Sequence, residues 1–72
     1  MADALDAFLW LCELDYNLET LSTIAPTLHK SLGCLASFPD QKTNTLNLLD
    51  GALEHAAELT MSLKRLKEIV NG

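Results

Sequence analysis

The sequence predicts an all-α protein, an antiparallel helical hairpin, on three observations: strands find no support, one site punctuates the chain, and each half carries an apolar heptad stripe. Glycines number three and prolines two. β-Branched residues never alternate with polar ones over a useful length, which removes the sheet pattern. The punctuation is Ser37-Phe38-Pro39-Asp40. Pro39 disfavours helix at Phe38, and Ser37 or Asp40 offers a cap to the next helix. This divides a single domain, 1–72, into a first arm over about 2–36, a turn at about 37–40 and a second arm over about 41–71.

In the first arm, Ala7, Leu11, Leu14, Leu18, Leu21, Ala25, Leu28, Leu32 and Leu35 alternate steps of four and three, an unbroken a/d seam. In the second, Leu49, Ala52, Ala56, Leu59, Leu63, Leu66 and Val70 repeat the rhythm. Folding at Pro39 lets the seams meet in order, with Leu35 near Leu46, Leu32 at Leu49, Ala25 at Ala56, Leu21 at Leu59, Leu14 at Leu66 and Leu11 at Val70. The same register sets Asp15 opposite Lys67 and Trp10 opposite Ile69.

Pro26 resists a regular first arm, because proline in a helix interior costs about 3 kcal/mol. The sequence therefore predicts a kink between Ser22 and Pro26. Its alternative ends the first helix near Tyr16, restarts at Asn17 or Thr23 as cap, and gives a monomeric three-helix bundle. Gly33 and Gly51 each weaken a helix interior by about 1 kcal/mol relative to alanine.

A chain of 72 residues buries too little surface for a robust core of its own, and association is the natural supplement. Ten acidic against five basic residues give a formal charge of −5, which disfavours nucleic acid and anionic membranes. Ala7–Cys12 is apolar but short, and Asp3 and Asp6 precede it where a signal peptide carries positive charge. With no stretch near the roughly 20 apolar residues of a membrane span, and two cysteines without a framework, the sequence points to the cytoplasm.

Chemistry finds no foothold. His29 and His55 fall on opposite edges of the proposed seam, and Cys12 and Cys34 lie about 33 Å apart along one arm. No metal-ligand spacing exists, no cysteine has a histidine placed to activate it, and the paired carboxylates Asp3 with Asp6 and Glu13 with Asp15 sit on solvated turns. No catalytic residue, metal or cofactor is expected. Lys64, Arg65 and Lys67 complement the negative end of the second helix, while Glu54, Glu58 and Glu68 interrupt any basic stripe.

One feature exceeds an ordinary hairpin. The outer positions of the second arm, Asp50, Glu54, Ala57, Glu58, Met61, Lys64, Arg65 and Glu68, make a wet face. Those at the start of the first arm are Leu5, Leu9, Cys12 and Tyr16, with Phe8 beside them. They recur at steps of four, three and four, a second apolar stripe on the side away from the hairpin partner. Soluble monomers rarely leave such a stripe bare.

Three coverings are open: a third helix of the same chain, a second copy giving a dimeric four-helix bundle, or another protein. The leading reading is a protein-protein interaction module, a regulator, inhibitor or chaperone, acting on a larger protein and forming a homodimer. Its contacts are Leu5, Phe8, Leu9, Trp10, Cys12 and Tyr16, with Phe8, Trp10 and Tyr16 as aromatic anchors. The alternatives are a structural assembly subunit and an RNA-binding hairpin dimer, since the chain resembles small plasmid-encoded helical-hairpin dimers in length and layout. Small secretion chaperones and phage-encoded inhibitors share that architecture.

Overall fold

A computed structural model describes residues 4–72 and shows two long helices packed as a hairpin, with no strand among the described residues. Helix α1 spans Ala4–Cys34 and α2 spans Lys42–Asn71, with a 3-10 segment Pro39–Gln41 leading into the second. Neither is long and apolar enough to cross a membrane.

Helix α1 runs through Pro26 without a break, which overturns the three-helix alternative. The physical reason lies in where the proline falls. Pro26 and Ser22 are both exposed, so the Ser22 carbonyl that Pro26 cannot serve is open to water. Around it Thr20 and Thr23 donate their hydroxyls to the carbonyls of Tyr16 and Glu19, at 2.9 and 3.1 Å. None of these side chains offers the non-helical alternative that a cap requires.

The turn falls earlier than the sequence suggests. The amides of Ser37 and Phe38 both donate to the Cys34 carbonyl, at 3.1 and 2.8 Å, closing the chain direction by residue 38. Phe38 is extended at φ −133° and ψ 80°, as a residue before proline prefers. Pro39 then opens the second arm, where its fixed φ suits a first helical turn and its missing N–H is not needed. Neither Ser37 nor Asp40 caps anything: the residues preceding the 3-10 segment and α2 are Phe38 and Gln41, without a side-chain cap bond.

This displaces the register by roughly one to two helical turns. Asn17 lies opposite His55, Ser31 opposite Thr45, and Trp10 beneath Arg65 rather than opposite Ile69. By the same register Ala25 comes level with Leu49, and Leu18 with Ala56, so the two alanines do not meet. Asp15 and Lys67 are both exposed and form no ion pair with each other.

The seam is also rotated. Ala7, Leu14, Leu21, Leu28 and Leu35 are half-buried as inner positions, but they alternate with Trp10, Asn17, Ile24 and Ser31, not with Leu11, Leu18, Ala25 and Leu32. On α2, Ala52, Leu59 and Leu66 alternate with Leu48, His55, Ser62 and Ile69. The expected inner residues Leu63 and Val70 are exposed, and Leu49 and Ala56 are half-buried flanks. In consequence the buried side chains are polar, Asn17, Ser31, Thr45 and Ser62, and none of the described hydrophobic residues is buried.

The molecule is a rod of 55 × 14 × 13 Å with a radius of gyration of 16.3 Å. A compact domain of this length measures about 11 Å. Gly51 sits half-buried in the middle of α2, and a methyl group there meets nothing within 4 Å. Gly51→Ala is therefore expected to raise stability by about 1 kcal/mol, read as a higher midpoint in urea titration followed by circular dichroism.

Candidate functional site

The hairpin interface holds two polar ties. The Asn17 side-chain amide donates to the Glu13 carbonyl at 2.9 Å, which turns its oxygen toward the second arm. That oxygen lies 2.9 Å from His55 Nδ1. An amide oxygen only accepts, so the imidazole donates from Nδ1, and neutral His55 keeps its lone pair on Nε2. Closer to the turn, Thr45 donates its hydroxyl to the Gln41 carbonyl at 2.9 Å. Its single proton is thereby used, and Ser31 must be the donor in the hydroxyl pair with Thr45. Buried polar atoms among the described side chains all have partners.

The six sequence-predicted site residues separate into two groups. Leu5, Phe8, Leu9, Cys12 and Tyr16 are exposed on α1, the first at 66%. Trp10 is not part of that outer stripe: it is half-buried and faces α2, where the Arg65 guanidinium carbon stands 5.8 Å from its ring centroid. A cation over an indole face is favourable, and here it closes the open end of the hairpin. Arg65 also reaches Glu68 at 3.4 Å. Tyr16, though exposed, meets the His55 ring edge-on with centroids 6.1 Å apart, so it is anchored to the inner seam.

What the structure adds is a groove. Between the start of α1 and the end of α2 an open depression of about 610 Å³ is floored by Leu9, Trp10, Cys12, Met61 and Ser62 and edged by Asp6, Glu13 and Glu58. Met61 belongs to the outer face of α2 that the heptads mark as wet, and it is 57% exposed. Periodicity along one helix gives no sign that Met61 and Leu9 share a depression, because that depends on the interhelix register. A second groove of about 340 Å³ lies toward the turn, between Thr27 and Cys34 on one side and Gln41 and Asn44 on the other.

Among the described residues no group of three potential ligands could hold a metal ion. His29 is exposed, while His55 points inward rather than lying at an edge. Cys12 and Cys34 are free thiols near opposite ends of one unbroken helix. No protein-family model, curated protein or solved structure matches this chain.

Proposed function

We propose that the chain is a small protein-binding module, a regulator, inhibitor or chaperone that engages a larger protein through the groove at the head of the N-terminal stripe. The observation that carries this reading is the groove's composition: an apolar floor of Leu9, Trp10, Cys12 and Met61 between the carboxylates of Glu13 and Glu58. An apolar floor rewards burial of side chains, and acidic edges select positive charge. The ligand that matches both is an amphipathic helix with basic residues flanking its apolar face, laid into the groove. Phe8 and Tyr16 extend the contact along the exposed side of α1.

Trp10 in the floor reports occupancy directly. A designed leucine-lysine amphipathic peptide is expected to produce a saturable change in Trp10 fluorescence, and a leucine-glutamate peptide of the same length none. Leu9→Asp should weaken the lysine peptide by at least about tenfold, the worth of one buried leucine, with far-ultraviolet circular dichroism unchanged. Equal responses from the two peptides, or from wild type and Leu9→Asp, reject the assignment.

A further inference from the structure

The two grooves lie on one side of the hairpin, since Glu13, Thr27 and Cys34 recur at multiples of seven on α1 and share walls with Asn44 and Glu58 on α2. The opposite side is then formed by the other flank of each helix, Leu11, Leu18 and Leu32 from α1 with Leu49, Leu63 and Val70 from α2, again at multiples of seven. Ala25 and Ala56 fill the two series, and neither contains an acidic residue; the one charge is Lys42, a heptad before Leu49 at the turn end. Leu18, Leu63 and Val70 are 46%, 51% and 87% exposed. These are the positions that read as the inner seam in the sequence; in the folded hairpin they flank it, and all but Leu49 and Ala56 are exposed.

We infer that this lateral face is where a second copy of the chain binds, completing a four-helix bundle around a two-fold axis. Three observations select a second copy. The chain exposes 5529 Å², whereas a compact monomer of 7.9 kDa exposes about 4,400 Å². The excess, roughly 1,100 Å², is enough to supply the ~800 Å² that one partner contributes to a stable interface. Next, a chain of net charge −5 repels its copy least where a face carries no carboxylate, and these two series carry none. Finally, large and small residues alternate across it, Leu18 level with Ala56 and Ala25 level with Leu49, so two faces can interdigitate. A two-fold contact joins identical patches and closes. Bundle helices use three heptad positions, a, d and one flank, and that flank is what lies bare here.

This inference does not rest on the groove, which lies on the other side. The bundle supplies what the single hairpin lacks, a core of buried leucine. It also leaves Leu9, Cys12 and Trp10 outside the interface.

Sedimentation equilibrium is expected to give twice the chain mass. Leu18→Glu with Leu63→Glu should weaken self-association about a hundredfold or more, whereas Leu9→Asp should leave the dimer intact. If the double variant loses its helices, wild type under mild oxidant decides: a lateral dimer keeps both thiols out of the interface and stays unlinked, while a disulfide joining Cys12 to its copy within the dimer overturns the proposal. So does a wild-type mass of one chain, or a dimer that survives Leu18→Glu with Leu63→Glu and is lost in Leu9→Asp.

Discussion

Replacing Pro26 with alanine is expected to stabilise the protein by about 3 kcal/mol, the interior penalty of proline relative to alanine. The gain is close to the full penalty because nothing in the fold depends on the ring. Pro26 is exposed, α1 continues on both sides of it, and alanine restores the amide that the Ser22 carbonyl lacks. For a chain of this size a stabilisation of that order raises the melting midpoint by more than about 10 °C. Thermal unfolding by circular dichroism at fixed protein concentration checks it, since the proposed self-association would make the midpoint concentration-dependent. A gain below about 1 kcal/mol would show that the proline occupies a position the helix needs bent.

The second large effect concerns the tie between Asn17 and His55. Asn17 is fully buried, and its oxygen is held by His55 Nδ1. Substituting Asn17 alone by leucine leaves the imidazole donor facing an apolar side chain and should destabilise by about 1–2 kcal/mol. Substituting Asn17 and His55 together by leucine removes donor and acceptor at once and fills an inner layer with apolar volume. The double variant is expected to be at least as stable as wild type, because replacing both partners by apolar groups leaves no buried group unsatisfied. Its cost falls on specificity, since a buried polar layer fixes register and only the Ser31–Thr45 pair would remain to do so. Broadened amide resonances or mixed masses in the double variant are the expected signature. A variant that is both stabler and uniquely folded would show that the turn and the Ser31–Thr45 pair suffice to set register.

These two residues also mark the limit of what the sequence discloses. The fold class, the hairpin and the outer wet face of α2 are legible from local periodicity and from one proline. The seam is not, because two readings of the heptad share Ala7, Leu14, Leu21, Leu28 and Leu35 and differ by a single residue in what alternates with them. The all-apolar reading, through Leu11 and Leu18, looks like the interior. The protein instead turns Asn17 and Ser31 inward, because across the hairpin each meets a hydrogen-bonding partner, His55 and Thr45. Those partners lie far along the chain, so no window of sequence shows the match. Two signals do exist in hindsight. Asn17 and Ser31 are in heptad phase with each other, as are His55 and Ser62. Pro39, as a natural first helical residue, marks the start of the second arm rather than the middle of the turn. The groove was illegible for a related reason, since Met61 and Leu9 line one depression only in the correct register.

The turn at residues 35–38 implies a direction of assembly. Contacts near it, such as Ser31 with Thr45, close a short loop, while Trp10 and Arg65 meet only after most of the chain has paired. Loop-closure entropy makes such a hairpin zip from the turn outward and fray from the other end. The fraying end is the one that carries Leu9, Trp10 and Met61. A helix laid into the groove, as proposed, would meet the arms where they separate at least cost.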